Sequence, residues 1–489
     1  MTSSPVGPRL ASGSACEDFD VIIVGAGPAG LIAARQIKEI RPALSVAIVD
    51  KGPDIDARKC PAKEGFRCVD CSPCRIICGP GGAGSFSDGK MFFEEAGGYL
   101  EEEGDRFTNA ALIRWVQSYF LDLFPKGLPG KRLAPSEGPQ VESLKEKIRS
   151  AGLGCRTNAP HHLGTENCHE FVTRIVSDLK TRAVKFYLNS NAANIAVDNE
   201  GRKIVSARAA GENLVFRSPY LILAVGKGGS EWLAEQMKRI GIEPVENPTP
   251  YIGVRIEASQ EILKPLTALG GDPKIWYERA GTTDRTKTHC FADGGYAVQI
   301  NYDNGITLVD GYSYVAPERR SPSSSVNILV RTAEKISSDA WLHLLKHFNF
   351  IGEKGFPKLQ RLEDFHNQLS SSKEKISSNK IKPTLQSYSL EDINLALSRR
   401  VAGNIIEFIH RLDKVIPGID DNDTLLYAPA AEWYIPRWVP KPAIKYRMQP
   451  PGAEGIFIIG DGAGLSQGII MAGTTGVVAG WTIATEMTK

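Results

Sequence analysis

Cysteine thiols are concentrated in one short stretch of this 489-residue chain. The last four cysteines there follow the spacing C-x2-C-x2-C-x3-C, and the first is followed by Pro61. In bacterial ferredoxins this spacing and a Cys-Pro pair hold a [4Fe–4S] cluster. Zinc, a redox dithiol and a tight loop with buried thiols are the alternatives. The candidate metal ligands are Cys60, Cys68, Cys71, Cys74 and Cys78.

A glycine motif near the N-terminus is suited to phosphate binding. Gly25, Gly27 and Gly30 form G-x-G-x-x-G directly after an apolar run. A helix-like stretch and a second apolar run follow, and that run ends in Asp50. In such a βαβ unit the glycines let the backbone approach a pyrophosphate at the helix N-terminus, and the acidic residue accepts hydrogen bonds from ribose hydroxyls. The sequence therefore predicts a dinucleotide site without a 2′-phosphate, which Asp50 would repel.

Two later glycine turns indicate which dinucleotide is bound. Apolar runs close on Gly226 and on Gly460, and Asp461 follows the second of them. With Gly468 after six further residues, this discontinuous set resembles the FAD domain of the glutathione-reductase-like flavoproteins. The resemblance implies that Asp461 bonds the ribityl chain and that the next helix points its N-terminus at the flavin, where it stabilises negative charge. NAD has no ribityl chain, so FAD is favoured.

A narrower resemblance is carried by segments that recur in a fixed order: Gly81–Lys90, Pro160–Thr165, Ala224–Gly226, Gly253–Glu257 and Gly460–Gly464. They resemble a mostly bacterial, largely uncharacterised family of FAD-dependent dehydrogenases, related to the geranylgeranyl reductase group. One segment departs from that family. Where Glu-Thr-Arg-Thr-Ser is expected, the chain has Glu432-Trp433-Tyr434-Ile435-Pro436. If this segment faces the substrate, the substrate differs from that of typical relatives.

The residues assigned to FAD come from the glycine motif and from this resemblance. Ser85, Ser87 and Lys90 are expected to serve the cofactor rather than the chemistry, and Lys90 can also stabilise anionic reduced flavin. The full set is Gly25, Gly27, Pro28, Ala29, Gly30, Asp50, Lys51, Gly82, Ala83, Gly84, Ser85, Ser87, Lys90, Ala224, Gly226, Gly460, Asp461, Gly468 and Ile469.

Flavin oxidations aim a substrate C–H or N–H at N5, often with a base that takes a proton. The candidates for the catalytic groups are His162, Glu432 and Tyr434. Structural roles are the alternatives, because His162 can bond loop backbone and the other two can pack a domain interface. Cys290 is interpreted as a small core residue rather than a nucleophile. Arg255 is interpreted as part of a salt bridge rather than a carboxylate clamp.

The order of elements predicts an α/β fold in which a doubly wound, Rossmann-like parallel sheet carries an inserted antiparallel α+β domain. The predicted units are a flexible tail (1–19), an FAD-binding domain in two parts (20–234, with the Cys-rich loop 59–79, and 446–489) and a substrate or cap domain (235–445). Ser-rich segments at 318–326 and 370–380 predict exposed loops, and 391–414 predicts a helix. The uncharged segment 468–485 is interpreted as a buried helix, since its many Gly and Thr residues suit a membrane span poorly.

These observations predict a cytoplasmic FAD-dependent oxidoreductase, a dehydrogenase or C=C reductase that transfers a hydride between flavin N5 and a small or medium organic substrate. One alternative is an electron-transfer flavoprotein with a Cys-ligated iron–sulfur cluster and a protein partner. A flavin-dependent monooxygenase is another. The net charge of +2 counts against a nucleic-acid partner, including the RNA of a modifying enzyme, and no membrane partner is expected. No second G-x-G-x-x-G follows a strand-like apolar run, so NAD(P)H would bind only transiently as a reductant.

Overall fold

The computed structural model describes residues 16–94, 110–245, 250–334, 337–432, 435–440, 443 and 445–487, with the side chains of 338–339 left out. Its strands are β1 (Cys16–Asp18), β2 (Val21–Val24), β3 (Val46–Val49), β4 (Lys90–Met91), β5 (Lys131–Arg132), β6 (Gly154–Arg156), β7 (His161–His162), β8 (Val184–Tyr187), β9 (Ser190–Val197), β10 (Lys203–Ala209), β11 (Glu212–Ser218), β12 (Tyr220–Leu223), β13 (Tyr251–Ser259), β14 (Lys274–Glu278), β15 (Arg285–Ala292), β16 (Tyr296–Asn301), β17 (Thr307–Tyr312), β18 (Ser323–Arg331), β19 (Lys358–Arg361), β20 (Ser389–Leu390), β21 (Leu425–Glu432) and β22 (Ile456–Ile458).

The α-helices lie between these strands in the sequence, and their apolar residues are divided between two cores. They are α1 (Pro28–Ile40), α2 (Ala110–Leu123), α3 (Pro139–Ser150), α4 (Thr165–Thr181), α5 (Ser230–Arg239), α6 (Gln260–Leu263), α7 (Ser338–His347), α8 (Leu362–Asn367), α9 (Lys373–Ser378), α10 (Arg399–Asp413) and α11 (Ile469–Glu486).

A five-stranded parallel sheet in the order β22-β12-β2-β3-β8 forms the first body. Its central strands are apolar runs because they are buried in one core with α1, α11 and the four-stranded sheet β1-β11-β10-β9. Helices α1 and α11 pack against each other so closely that a Cβ on Gly476 would lie 2.4 Å from the carbonyl oxygen of Ala29. The predicted Rossmann-like fold class is confirmed.

An eight-stranded sheet in the order β20-β19-β21-β13-β18-β15-β14-β6 forms the second body. Its pairs are antiparallel except β19 with β20. Strand β6 comes from residues 154–156, well before the predicted start of this domain, and Val141 and Ile148 of α3 belong to the same core. The boundaries at 234/235 and 445/446 stay predictions. The antiparallel β16–β17 hairpin packs on the Cys-rich loop.

Some local predictions are wrong. Residues 16–18 of the predicted tail form β1, which pairs in parallel with β11, while 1–15 lie outside the described residues. The Ser-rich segment 318–326 is not an exposed loop throughout, since Ser323, Ser324 and Ser325 are buried in β18. Segment 370–380 contains the short helix α9, and the helix predicted from 391 begins only at Arg399.

The C-terminal segment forms α11, as predicted, and most of that helix is buried, in contact with α1 and α2. In the described ranges, no helix combines the length and the apolar character needed to cross a membrane.

Candidate functional site

Three glycine turns meet at the carboxyl ends of β2, β12 and β22. A Cβ on Gly25 would lie 2.3 Å from the carbonyl oxygen of Ala224, and one on Gly462 would lie 2.9 Å from that of Gly226. The glycine-rich loop joins them, because Gly81 donates its N–H to the carbonyl oxygen of Ala26 at 2.8 Å. Ligands of open α/β sheets bind at this edge. The structure thus brings together residues that are about two hundred and four hundred positions apart.

Open space lies beside three of these glycines. No heavy atom lies within 4 Å of a Cβ built on Gly27, Gly226 or Gly468. Gly27 and Gly468 precede α1 and α11, and neither helix has a side-chain N-cap, so first-turn N–H groups can serve an anionic ligand. Gly30 differs, because its Cβ would lie 2.1 Å from the carbonyl oxygen of Gly25. The open space and the free N–H groups at Gly27 therefore suit a phosphate group, and Gly30 serves the helix–strand contact.

Asp50 connects three turns. Its carboxylate accepts hydrogen bonds from the backbone N–H groups of Ala26, Gly52 and Gly79, each at 2.8 Å. A carboxylate offers about four acceptor sites, so acceptor capacity for a ribose hydroxyl remains. The next residue, Lys51, forms an ion pair with Asp303 in the β16–β17 turn at 2.5 Å. Its ammonium group thus ties the hairpin to the first body.

Asp461 lies deep in the protein, yet part of its surface stays accessible, as expected for a side chain that faces a cleft. Its carboxylate accepts hydrogen bonds from Ser466 Oγ at 3.1 Å and from the N–H of Gly468. Burial raises the pKa of Asp461, and the nearby Lys227 ammonium opposes that rise. The carboxylate is thereby held at the entrance to α11, where the resemblance places a ribityl chain.

The glycine-rich loop is held by a residue that the sequence analysis missed. Arg58 is buried, and its guanidinium group donates to five backbone carbonyls and to Ser85 Oγ. Burial lowers the pKa of Arg58 to about 10, with Asp50 opposing the shift. An arginine in a cysteine-rich loop carries no motif, so no local pattern could have identified this role.

The other predicted cofactor residues of the first body surround the same space. Pro28 and Ala29 open α1, Ala83 and Gly84 lie in a short 3-10 helix over Gly82–Phe86, and Ile469 opens α11 beside Gly84. The hydroxyl group of Ser87 bonds within its own loop. Lys90 forms an ion pair with Asp88 at 2.8 Å and donates to the carbonyl oxygen of Phe291. These contacts give Ser85, Ser87 and Lys90 partners within the protein, and their service to the cofactor stays a prediction.

His162, the first catalytic candidate, is buried on β7 between β4 and β5. Its Nε2 lies 3.3 Å from Ser313 Oγ, which also lies 3.3 Å from Asp88 Oδ2. Burial lowers the pKa of His162 to about 4, while the Asp88 carboxylate opposes that shift. His162 is therefore neutral near pH 7, within a network that joins the glycine-rich loop to the end of the β16–β17 hairpin.

This shift predicts a loss of stability in acid. The unfolded chain protonates His162 below pH 6.5, whereas the folded chain protonates it only near pH 4. The contribution of His162 is therefore present above pH 6.5 and is lost as the pH falls to about 4, an effect of about 3 kcal/mol. His162→Gln is expected to lose less unfolding free energy between pH 7 and pH 4.5 in denaturant titrations. The exposed His347→Gln is the control, and equal pH slopes in both variants would contradict the prediction.

Glu432, the second candidate, ends β21 in a different charged cluster. Its Oε1 lies 2.8 Å from Lys287 Nζ and 3.6 Å from His289 Nδ1. His289 is buried, and burial together with four nearby cations lowers its pKa well below the usual range. Tyr434, the third candidate, and Trp433 lie outside the described residues. The structure thus does not bring His162 and Glu432 into one hydrogen-bonded group.

His289 stands at a bulge in β15. The pairing with β18 shifts between His289 and Ala292, and Cys290 has a φ of +51°, which is strained for a residue with a Cβ. Charged side chains contact the backbone of this bulge and the ring of His289. Arg255 donates to the carbonyl oxygen of Cys290, Asp272 accepts from the N–H of Phe291, Lys90 donates to its carbonyl oxygen, and Lys274 Nζ lies 3.5 Å from His289 Nδ1.

Such strain persists only where surrounding structure determines it, and it is found preferentially at functional sites. Arg255 forms an ion pair, as expected, with Asp310 at 3.5 Å, and it also donates to the carbonyl oxygen of Cys290 at this bulge. The side chains that contact the bulge are distant in the sequence, so no local pattern predicts it. The adjacent pair His289-Cys290 was the only feature noted at this position.

The cysteines do not form a recognisable metal site. Sulfur atoms of Cys60, Cys68 and Cys74 accept backbone N–H groups, and burial is the main cause that raises their pKa values, that of Cys74 to about 11. Cys78 ends this loop, where it donates its backbone N–H to the carbonyl oxygen of Cys74 and lies near Lys51. Throughout the described ranges, no three or more His, Cys, Asp or Glu side chains are grouped so that they could hold a metal ion. The iron–sulfur and zinc interpretations therefore gain no support.

Comparisons with known proteins cover this site in part. A family model described as lycopene cyclase protein matches residues 20–60, which is the first βαβ unit and the start of the Cys-rich loop. No curated protein matches the chain. The narrower dehydrogenase family therefore stays a prediction.

Solved structures match almost the whole chain at low similarity. A geranylgeranyl bacteriochlorophyll reductase-like protein from Thermoplasma acidophilum has 12% identity and a TM-score of 0.41, over 97% of this chain and 80% of that one. A flavoprotein/dehydrogenase from Cytophaga hutchinsonii has 9% identity and a TM-score of 0.41, over 96% and 79%. Glycine oxidase from Geobacillus kaustophilus has 11% identity and a TM-score of 0.38, over 96% of this chain and 95% of that one. Similarities at this level carry no argument, so the function below depends on the geometry of the site.

Proposed function

We propose that this protein is an FAD-dependent oxidoreductase, a dehydrogenase or C=C reductase that acts on a small or medium organic substrate. The observation that carries the proposal is the meeting of three glycine turns around open space, beside the carboxylate of Asp461. A dinucleotide fits that space, and the polar group at Asp461 suits a ribityl chain, which NAD lacks. Bound FAD supplies hydride transfer at its N5 atom.

Different residues of the chain would bind different parts of FAD. Gly27 and the first turn of α1 would receive the pyrophosphate, and Asp50 would bond the ribose with its remaining acceptor capacity. Asp461 would hold the ribityl chain, and the uncapped N-terminus of α11 would face the flavin ring. A helix N-terminus there favours negative charge on the ring, which is the charge that reduction brings.

The segment after β21 supports the proposed position of the substrate. Trp438 donates its N–H to the carbonyl oxygen of Ala463 at 3.3 Å, and a Cβ on Gly464 would lie 2.6 Å from the carbonyl oxygen of Pro436. Residues 435–438 therefore lie on the turn that carries Asp461. Glu432, just before this segment, would orient the substrate together with Lys287 and His289, in surroundings from which most water is excluded.

Purified protein tests the proposal through its visible spectrum, the mass of any released cofactor and turnover with candidate donors or unsaturated acceptors. Bound FAD that a substrate bleaches without oxygen would support it. Protein that takes up no FAD would overturn it. Substrate-dependent oxygen uptake with NAD(P)H consumption would instead show a monooxygenase.

Asp461→Asn gives a residue-level prediction. FAD affinity is expected to fall about tenfold or more, because the ribityl chain loses a charged acceptor worth about 1.5–3 kcal/mol. The free energy of unfolding of the apoprotein is expected not to fall, because a buried charge is removed. FAD titration and denaturant unfolding measure the two effects, with the exposed Asp122→Asn as control. Unchanged FAD affinity in Asp461→Asn would exclude the role given to this carboxylate.

A further inference from the structure

The tip of the β16–β17 hairpin, residues 302–305, belongs to the second body but reaches the edge of the parallel sheet. Asp303 forms an ion pair at 2.5 Å with Lys51, which lies just after β3. On the other side, Asn304 Nδ2 donates at 2.5 Å to Oε1 of Glu231, which lies in the first turn of α5 after β12. The tip is therefore attached to the chain segments that follow two different strands of that sheet.

A third contact lies on the β12 side of the tip. A Cβ on Gly228, in the turn that follows β12, would lie 3.5 Å from Cδ1 of Tyr302 and 3.3 Å from Cδ1 of Ile77. The ring of Tyr302 therefore packs against this turn. The second body holds the tip from behind, since the carbonyl oxygen of Gly305 accepts a hydrogen bond from Asn349 Nδ2 at 2.8 Å. The tip thus has a defined position between the two bodies.

The order of strands shows which part of the sheet the tip crosses. Strand β2 lies between β12 and β3, so contacts beyond the ends of both neighbours place the tip across the carboxyl end of β2. Neighbouring strands are about 4.8 Å apart, so the tip spans about 10 Å. The turn at this end of β2 is the glycine motif, where the open space at Gly27 suits a phosphate group. The tip therefore crosses the sheet edge at the place assigned to the adenosine half of FAD.

We propose that residues 302–305 complete the FAD site as a strap over the adenosine half of the cofactor. The ion pair of Asp303 with Lys51 and the hydrogen bond of Asn304 to Glu231 fasten it. This inference rests on the proposed function and adds binding residues from the inserted domain. The side chain of Asp303 is 46% accessible, so its ion pair is weak enough to open. The strap therefore controls how fast FAD enters and leaves, rather than hydride transfer.

The alternative role of the tip is a structural contact that only joins the two bodies. Removing such a contact would change the stability of the protein. It would not make the tip respond to the part of the cofactor that is bound, and it would not make FAD exchange faster in both directions. These two properties separate a strap from a structural contact.

The first test measures amide hydrogen exchange over residues 301–306 of the full-length apoprotein with FAD, ADP or FMN. ADP carries the adenosine half of the cofactor, and FMN carries the flavin half. FAD and ADP are both expected to slow exchange in the tip about tenfold or more, and FMN is expected to leave it unchanged. FAD or ADP that binds without protecting the tip would overturn the inference, as would protection by FMN alone.

The second test compares FAD exchange in the wild type and in Asp303→Ala/Glu231→Ala, which removes both fastenings. The control Asp18→Ala/Glu235→Ala removes the same two kinds of acid from exposed positions. Asp18 precedes β2 at the opposite end of that strand, and Glu235 pairs with Arg239 further along α5. Uptake is followed by the flavin signal after mixing with apoprotein, and release by the same signal after dilution into excess ADP.

Both rates are expected to rise about tenfold in the variant without fastenings, because an open strap obstructs neither direction, and to stay within about twofold of wild type in the control. Faster release with unchanged uptake would show a loss of affinity rather than an opened strap, and it would overturn the inference. Wild-type rates would overturn it too and leave the proposed function intact. Wild type that takes up no FAD would overturn the proposed function itself.

Discussion

Gly27→Ala is expected to weaken FAD binding by up to about 100-fold without lowering the free energy of unfolding of the apoprotein. Gly27 has φ −71° and no neighbour within 4 Å of an added Cβ, so the protein alone accepts alanine there. The methyl group instead occupies the space that a pyrophosphate needs. Equilibrium FAD titration and denaturant unfolding of the apoprotein measure the two quantities.

Gly30→Ala is the matched comparison, because it makes the same chemical change three residues away. Its Cβ would lie 2.1 Å from the carbonyl oxygen of Gly25, a backbone atom that cannot move without shifting α1 from β2. Loss of about 3 kcal/mol of folding free energy is expected. If Gly27→Ala were the less stable variant, or if it bound FAD like the wild type, the assigned roles of the two glycines would be wrong.

Arg58→Met is expected to lower the free energy of unfolding by about 3–5 kcal/mol, as removal of one member of a buried charged network does. The change leaves five carbonyls and the hydroxyl group of Ser85 without their donor, and it removes the cation that faces Asp50. Because these acceptors lie on both sides of the glycine-rich loop, FAD binding is expected to fall as well.

Lys59→Met is the control for Arg58→Met, since Lys59 is the next residue and is exposed. Denaturant unfolding gives the stability of both variants. Hydrogen exchange over 75–85 locates the change, which is expected to be largest in that loop. An Arg58→Met variant as stable as Lys59→Met would show that the hydrogen bonds of Arg58 are replaceable.

Prediction from the sequence succeeded where the residues that determine an element or a site lie close together in the chain. The first βαβ unit could be predicted because strand, glycine turn, helix and Asp50 follow one another within one segment. The same holds for β12 and β22, whose apolar runs end on Gly226 and Gly460. Their arrangement side by side in one parallel sheet confirms the fold class.

Prediction failed where contacts between distant parts of the chain determine the local structure. Ser323–Ser325 look like a loop by composition, yet they form the start of a central strand because β13 pairs with them and neighbouring polar groups bond them. Asp50 was assigned to a ribose alone, but it also accepts from three backbone N–H groups, two of them in segments far along the chain.

The place of β22 in the parallel sheet has a consequence for biosynthesis. The chain crosses between the two bodies repeatedly, and β22, which pairs with β12, follows Leu425–Glu432 of the antiparallel sheet in the sequence. Asp461 and α11 come later still. On the ribosome, the N-terminal βαβ unit therefore emerges first. Its cofactor cleft is complete only after nearly the whole chain has been synthesised. Until then, the apolar edge of β12 is exposed, and a nascent chain in that state is a natural client for chaperones.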